Sequence, residues 1–419
     1  MTLRLMLRAM NILLVDSQYP MFDRASADVR MFAIVRLLRE QNHDCHYFVS
    51  DISLTETRVG VEEVERYRNA LRELGVTPIE RRGFEQVIAA QRYDMVFFKY
   101  FYPAETRIRL ARIWQPQARL VVDSVDLVYA RLLAKAALSG LANDYQEAAD
   151  IRRRELKTYA AADLVLTVTD DEAKVLAGEL PECPIYVVSN IHDLPEKNRL
   201  ETRFPSLLFI GTFTHEPNTD GVLWFVRDVW PRVRKAFPET RFRIVGGSPP
   251  PEIRNLSSEE GIDVMGYVPD TLPFLMETWV SVAPLRFGAG MKGKVGEAMA
   301  AALPVVTTRF GIEGIDLTPG EHVLVANSPS EMAEAVISLL HNRESRATIG
   351  AAGRDFIERN YSFEAVRARI KGLIDTISAL PPRSLALTTR ISAINHRFLF
   401  ALRQHLEWRI RPKKMRANA

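Results

Sequence analysis

The sequence predicts an α/β protein made of two doubly wound domains that face each other across a cleft. Apolar runs of β type alternate with amphipathic helical patterns along most of the chain, and a polar segment at 189–206 interrupts the alternation once. Strands that alternate with helices indicate parallel sheets with helices on both faces. The 419 residues suffice for two or three domains, each able to bury a core of its own.

The first half of the chain opens on an apolar run at 11–17, followed by an amphipathic helical pattern at 28–41. Runs rich in β-branched and aromatic residues then return at intervals and predict further strands. These strands are predicted at 45–50, 94–99, 118–124, 163–169 and 184–189. The clearest helix between them is predicted at 142–162.

The polar segment 189–206 has a proline near each end and is predicted to be the interdomain linker. A second series of strands is predicted at 206–211, 241–246, 262–267, 280–285 and 304–308. Its helices are predicted at 217–237, 329–342, 344–360 and 362–378. The predicted domains are 1–190 (N-terminal), 191–361 (C-terminal), 362–380 (a helix returning toward the N-terminal domain) and 381–419 (a basic amphipathic tail).

Composition excludes several classes of protein. With 47% hydrophobic and 26% charged residues, the chain is not predicted to be disordered. Its two cysteines cannot form a disulfide framework and fit a reducing compartment, so a cytoplasmic location is expected. No apolar run approaches the ~18 residues that span a bilayer.

The net charge of +3 is distributed unevenly along the chain. Residues 381–419 carry nine Lys and Arg against the single acid Glu407, so residues 1–380 carry a net −5. Nucleic-acid binding favours a basic folded body, which this balance does not indicate. The tail has two interpretations: a basic amphipathic helix in peripheral contact with the cytoplasmic membrane face, or a helix that packs back on the body. Its apolar stripe consists of Ile391, Ile394, Phe398, Leu402 and Leu406.

The most informative segment is WVSVAPLRFGAGMKGKVGEAMAAALPVVTT at 279–308, a strand, a glycine-rich loop, a short helix and a second strand. Glycines at a strand-to-helix turn let backbone N–H groups approach an anion, and the helix N-terminus adds partial positive charge. Lys292 and Lys294 lie in the first turn of that helix. The segment is predicted to bind phosphate.

Three phosphate motifs overlap in this loop. Spacing of glycines at 288, 290 and 293 matches the dinucleotide fingerprint, with Glu313 at the ribose-binding distance. The P-loop pattern also nearly matches, but Val295 occupies the position of the Mg²⁺-binding Ser or Thr. In the third interpretation Glu297, one turn after Lys294, accepts hydrogen bonds from the ribose hydroxyls of a nucleotide. The loop follows the fourth strand of its domain, which weakens the first two, but a P-loop-like NTPase and an NAD(P)-dependent oxidoreductase remain alternatives.

Taken together, SLLFIGTFTHEPN (206–218) and APLRFGAGMKGKVGEAMAAALPVVTTRFGIEGI (283–315) resemble retaining glycosyltransferase family 4, also called glycosyl transferases group 1. The resemblance runs from about residue 10 to 380 and is strong in 206–326. It implies the GT-B fold of two facing Rossmann-like domains. It also implies a hexosyltransferase that moves a sugar from a nucleotide-diphosphate sugar to an acceptor hydroxyl with retention of configuration. Neither a metal nor a further cofactor is expected.

By the same resemblance, Glu297 holds the donor ribose, while Lys294 and Arg286 neutralise the leaving diphosphate. The predicted donor-binding residues are Gly211, Gly288, Ala289, Gly290 and Met291. On the acceptor side, polar residues at strand ends and at the start of helices are the candidates. They are Asp16, Arg30, Asp123, Asp126 and Arg131.

The chain departs from the family pattern at several places, including the loop after the first strand, where 23–28 lacks the usual glycines. Ala289 occupies the position of a glutamate that contacts the donor sugar, and Val128 occupies that of a cleft histidine. Thr212–Asn218 lacks the usual Arg and Lys and offers only His215, for which no role is expected. A non-catalytic nucleotide-sugar-binding protein is therefore a further alternative.

The expected partners are a nucleotide-sugar donor and a glycan or lipid-linked acceptor. These partners suggest a role in polysaccharide or glycolipid biosynthesis. No nucleic-acid partner is expected.

Overall fold

The computed structural model describes residues 9–196, 199–288 and 290–381, together with Ile394, His396 and Phe398. The tail predicted at 381–419 lies almost entirely outside these residues. Within them, two parallel sheets are each covered by helices on both faces, as predicted. None of the helices in the described part of the chain combines the length and apolar character needed to cross a membrane.

The first sheet has seven parallel strands. They are β1 (Asn11–Asp16), β2 (Asp44–Val49), β3 (Thr77–Ile79), β4 (Met95–Lys99), β5 (Arg119–Asp123), β6 (Leu164–Thr167) and β7 (Ile185–Val187). Its helices are α1 (Ser26–Glu40), α2 (Ile52–Val59), α3 (Val61–Glu73), α4 (Phe84–Ala90), α5 (Phe101–Trp114), α6 (Val128–Ser139), α7 (Ala142–Tyr159) and α8 (Asp170–Glu179). The strand order is β3-β2-β1-β4-β5-β6-β7. The sequence prediction missed β3 because this three-residue edge strand has Pro78 at its centre.

The second sheet has six parallel strands. They are β8 (Ser206–Ile210), β9 (Arg241–Val245), β10 (Ile262–Gly266), β11 (Val280–Ala283), β12 (Val305–Thr307) and β13 (Leu324–Val325). Its helices are α9 (Glu216–Trp224), α10 (Trp230–Ala236), α11 (Pro251–Arg254), α12 (Leu272–Glu277), α13 (Gly293–Ala300), α14 (Pro329–His341) and α15 (Arg343–Tyr361). The order β10-β9-β8-β11-β12-β13 is that of a doubly wound dinucleotide-type domain.

The helix predicted at 217–237 is divided by a π turn at Phe225–Val229. Pro231 follows within the first turn of α10 and has no backbone N–H to donate to the preceding turn. The interruption therefore follows from the proline, which the helical periodicity alone did not take into account.

Each sheet is buried on both sides, so its strands are continuous apolar runs. Along β1, Ile12 and Leu14 pack into one hydrophobic layer while Leu13 and Val15 pack into the other. Two equivalent layers cover the second sheet. This double burial explains why most strands were identifiable from the sequence.

The helix after α15, α16 (Phe363–Ala379), packs on the N-terminal domain. Its apolar face joins the core layer that contains α1, with Val366, Ile370, Leu373, Ile374 and Ile377. Arg119 of β5 caps the end of α16 by donating from Nε to the Ile377 carbonyl at 3.3 Å and from its terminal nitrogen to the Leu380 carbonyl. The chain thus crosses between the domains twice, once in the linker and once between α15 and α16. The two crossings are joined by a hydrogen bond of 2.9 Å from His192 N to Tyr361 O.

Helix α13 is one of the elements that bring the two domains into direct contact. A Cβ built on Gly293 would lie 2.4 Å from Cβ of Ser26, at the start of α1. One turn later, a Cβ on Gly296 would lie 2.2 Å from Nε2 of the buried His192. Neither position can carry a side chain unless the neighbouring groups move, so the two glycines set the spacing between the domains.

Candidate active site

Two loops leave the second sheet side by side because β8 and β11 are paired. One loop follows β8 at 211–215, and the other, the glycine loop, follows β11 at 284–292 and leads into α13. Gly290 has φ of 68° in the glycine loop, and a Cβ built on it would lie 3.3 Å from Cβ of Asp126 in the N-terminal domain. Gly288 precedes it, and Ala289 lies outside the described residues. The glycine loop therefore packs against the other domain at Asp126.

Lys294 lies in the first turn of α13 and reaches back to the β8 loop. Its Nζ donates to Oδ1 of Asn218 and lies 4.9 Å from the centroid of the Phe209 ring. A Cβ on Gly211 would lie 3.1 Å from Nζ and 2.8 Å from the Asn218 amide nitrogen, so glycine is needed there for space. Burial and the nearby charge of Lys292 lower the pKa of Lys294 to about 7, against the opposing effect of Glu297.

Glu297 follows Lys294 by one turn on the same helix. Its Oε1 accepts a hydrogen bond of 2.6 Å from the Thr271 hydroxyl, at the start of α12. Burial raises the pKa of Glu297, although Thr271 and Lys294 both favour the ionised form. Lys294 and Glu297, predicted as a pair, are thus brought together in a half-buried position. No local pattern indicated Asn218 or Thr271 as their partners.

The other predicted donor-side residues have partners of their own. Arg286 donates to both carboxylate oxygens of Asp220 in α9, with Nε 2.8 Å from Oδ2. Met291 is buried in the core of the second domain, and its carbonyl accepts from the Asn190 amide at 3.3 Å. The assignment of Arg286 to the leaving diphosphate requires this arginine to leave Asp220, and it stays a prediction.

Lys292 is buried beneath the glycine loop. Its Nζ donates to the Gly290 carbonyl and lies 3.6 Å from Oε2 of Glu313, the residue that the dinucleotide interpretation assigned to ribose. Burial lowers the pKa of Lys292, while Glu313 favours its charged form. Lys292 therefore supports the loop from within.

Three of the five acceptor-side candidates are internal, which corrects their assignment. Arg30 and Asp123 are fully buried and form an ion pair of 2.5 Å, and Arg30 also donates twice to the Val188 carbonyl. Asp16 is buried at the end of β1, 3.1 Å from Nζ of Lys99. These groups satisfy one another and join strands to helices, so they are not exposed to an acceptor.

The other two candidates, Asp126 and Arg131, lie at the cleft. Arg131 Nε donates to Oδ2 of Asp126 at 3.0 Å, and both side chains are partly exposed. Their loop is held by buried carboxylates: Leu127 N donates to Glu172, and Val128 N donates to Glu155. Burial raises the pKa of each of these glutamates to about 7. Glu172 was not among the predicted site residues, although Thr169-Asp-Asp-Glu172 is a capping pattern that marks a helix start.

His215 occupies the N-cap position of α9, within the field of several cations. Burial and the positive charges of Lys294, Arg131 and Lys292 lower the pKa of His215 to about 3. The imidazole is therefore neutral at physiological pH. Cations of both domains therefore act on the same imidazole.

Comparison with known proteins supports the family resemblance that the sequence indicated. Residues 204–342 match the family model Glycosyl transferases group 1, which confirms the predicted resemblance for most of the second domain. An uncharacterised 44.6 kDa protein of the Klebsiella pneumoniae cps region is 26% identical over 178 residues, 39% of this chain and 45% of the relative. Phosphatidyl-myo-inositol mannosyltransferase of Mycobacterium leprae is 26% identical over 214 residues, 49% of this chain and 56% of the relative. The chain spans about half the length of the curated relatives that it matches.

Solved structures share the whole architecture. Sucrose-phosphate synthase from Thermosynechococcus elongatus superposes with a TM-score of 0.68 at 15% identity, covering 89% of this chain and 100% of that one. The pneumococcal O-GlcNAc transferase GtfA, in complex with UDP and GlcNAc, gives 0.65 at 11% identity over 89% of this chain and 100% of that one. These similarities confirm the predicted GT-B fold.

Proposed function

We propose that this protein is a glycosyltransferase that moves a sugar from a nucleotide-diphosphate sugar to an acceptor hydroxyl, with retention of anomeric configuration and without a required metal. The observation that carries the proposal is the position of Lys294 and Glu297 one turn apart on α13, beside the ends of β8 and β11. Ligands of doubly wound sheets bind beyond the carboxyl ends of their strands. The family match of residues 204–342 includes both side chains.

In this proposal the donor is held by its nucleotide. The Glu297 carboxylate accepts hydrogen bonds from both ribose hydroxyls, and the glycine loop and the first N–H groups of α13 receive the diphosphate. Lys294 supplies the cation that meets the phosphates. The sugar then lies beside the glycine loop, near the point where Gly290 packs against Asp126 of the N-terminal domain.

Transfer creates negative charge on the departing diphosphate, and preorganised cations and N–H groups stabilise that charge. The bond between the anomeric carbon and the phosphate oxygen breaks, and the acceptor oxygen forms the new bond on the same face. The acceptor proton passes to the departing phosphate oxygen, so no protein base is needed. This mechanism is compatible with the burial of Asp16 and Asp123 in internal ion pairs.

We propose a glycan or a lipid-linked molecule as the acceptor, since one relative is named phosphatidyl-myo-inositol mannosyltransferase. The nucleotide base of the donor has to be identified by a binding assay. The GtfA structure contains UDP, but the sequence of this chain contains no base-specific pattern.

The test is a thermal-shift panel of UDP, GDP, ADP, ATP and NAD(P), each with and without Mg²⁺. A ligand at about 100 times its Kd adds about 2.7 kcal/mol to the free energy of unfolding. We expect a metal-independent shift with one of UDP, GDP or ADP, and its loss in Glu297→Ala. Glu334→Ala, an exposed carboxylate on α14, is the matched control. A shift confined to Mg·ATP or NAD(P), or one indifferent to Glu297, would overturn the proposal.

Lys294 is also expected to take up a proton when the donor binds. The pKa of Lys294 is about 7 in the free site, so Lys294 is neutral in most protein molecules at pH 8. A bound diphosphate favours the ammonium form and raises this pKa, so binding at pH 8 takes up close to one proton and affinity falls as pH rises above 7. Phosphate groups with a pKa of about 6 are already ionised at pH 8 and contribute little to the proton uptake. Calorimetry in buffers of different ionisation enthalpy measures the uptake, and unchanged uptake in Lys294→Met would contradict the assignment.

A further inference from the structure

Helix α6 of the N-terminal domain faces the start of α9 in the second domain. Lys135 of α6 forms an ion pair with Glu216, the first residue of α9, with Nζ 3.0 Å from Oε2. Arg131 precedes Lys135 by one turn and so lies on the same side of α6. His215 directly precedes Glu216. The ion pair therefore brings the Arg131 turn of α6 close to the β8 loop.

Arg131 is also linked to the glycine loop. Its Nε donates to Asp126 at 3.0 Å, and Cβ of Asp126 lies 3.3 Å from the position that a Cβ of Gly290 would take. A guanidinium has five N–H donors, of which this contact uses the one on Nε. The side chain is about a quarter exposed, so it can meet a ligand in the cleft.

Cations of both domains act on His215, at the start of α9. Arg131 of the first domain and Lys292 and Lys294 of the second all act on this imidazole and, together with burial, lower its pKa. Asp126, Glu172 and Glu313 are the carboxylates that act on Lys292 from the surrounding elements. Lys294 has Glu297 one turn away and Asn218 as its hydrogen-bond partner. Cations that converge at the N-terminus of a helix form a site for an anion.

The segment 212–218 carries no Lys or Arg, so a second phosphate cation has to come from another element. We propose that Arg131 binds the donor diphosphate from the opposite domain and, with Lys294, stabilises the phosphate that leaves during transfer. The assignment rests on the proposed function. It moves Arg131 from the acceptor side, where the sequence analysis placed it, to the leaving group.

A cation on the N-terminal domain reaches the diphosphate only while the two domains are together. Full stabilisation of the leaving group thus requires the closed cleft, in which α6 and α9 are joined through Lys135 and Glu216. In the open enzyme the bound donor would lack this positive charge. Its hydrolysis by water would therefore be slower than sugar transfer in the closed enzyme.

The experiment measures affinity for UDP, UMP and uridine, or the equivalent series for the base found in the panel, in wild type, Arg131→Gln and Arg131→Lys. Hydrogen bonds to charged groups are worth about 10- to 100-fold in affinity, so Arg131→Gln should weaken the diphosphate by that factor and the nucleoside by less than about twofold. Arg131→Lys should recover part of the loss, and kcat should fall with little change in acceptor KM. Arg153→Gln, on the exposed side of α7, is the control.

The outcomes separate this assignment from the proposed function. If wild type binds no nucleoside diphosphate, the proposed function is wrong. If wild type binds it and Arg131→Gln binds it equally well, this assignment alone is wrong. A raised acceptor KM with unchanged diphosphate affinity would return Arg131 to the acceptor side. A purely structural role would weaken the nucleoside and the diphosphate by the same factor, which would also overturn the assignment.

Discussion

Replacement of Lys294 by methionine is expected to lower kcat by about 10²- to 10³-fold, the usual cost of removing one group that stabilises developing negative charge. The ammonium group is held at Asn218, beside Gly211, where the diphosphate would lie. Methionine preserves most of the volume but provides no charge and no donor. Release of nucleoside diphosphate, measured in a coupled assay at saturating donor, gives the value.

The same substitution is not expected to unfold the protein. Burial has already lowered the pKa of Lys294 to about 7, so the folded state gains little from this charge, and an apolar side chain suits the site as well. Lys235→Met, an exposed lysine on α10, controls for the loss of a cation elsewhere in the domain. A loss in kcat below about threefold, or a large fall in melting temperature, would show that Lys294 is structural and not catalytic.

The second large effect concerns stability. Asp123→Ala is expected to lower the free energy of unfolding by about 3–5 kcal/mol, because it leaves the Arg30 guanidinium buried without its counter-ion. Both side chains are fully buried, and the pair joins α1 to the end of β5. Denaturation in urea, followed by circular dichroism, measures the loss.

Two further variants identify the cause of the loss. Arg30→Met combined with Asp123→Ala should be less destabilising than the sum of the single changes, since neither charge is then left unpaired. Asp126→Ala, three residues along the same loop, should cost less than about 1 kcal/mol, because its pair with Arg131 is partly exposed. A stable Asp123→Ala protein with a raised acceptor KM would restore the acceptor-side interpretation.

Most of the fold was predictable because its strands are buried on both faces and are therefore continuous apolar runs. The exceptions are strands with little intrinsic strand propensity, which pairing with the rest of the sheet stabilises. Strand β13 has two residues, and β3 contains a proline at the sheet edge. Neither carries enough apolar sequence to stand out from a loop.

The site was predictable only where local spacing determines geometry. Lys294 and Glu297 share a face of one helix, so their proximity follows from their separation of three residues. Arg30 and Asp123 are 93 residues apart, and no local pattern shows that they neutralise each other. A polar residue at a strand end was therefore compatible with both a cleft and a buried ion pair. Asp16, Arg30 and Asp123 were predicted to face the acceptor but lie in buried ion pairs.

The position of α16 has a consequence for biosynthesis. This helix covers α1 and supplies five fully or almost fully buried apolar side chains to the N-terminal core, although the second domain lies between them in the chain. Translation at ~5–20 residues per second needs roughly ten to forty seconds to proceed from β7 to α16. During that interval the nascent first domain exposes the apolar groove that α16 will fill. The N-terminal domain thus leaves the ribosome before the second domain but is completed after it, and until then its exposed groove is a target for chaperones.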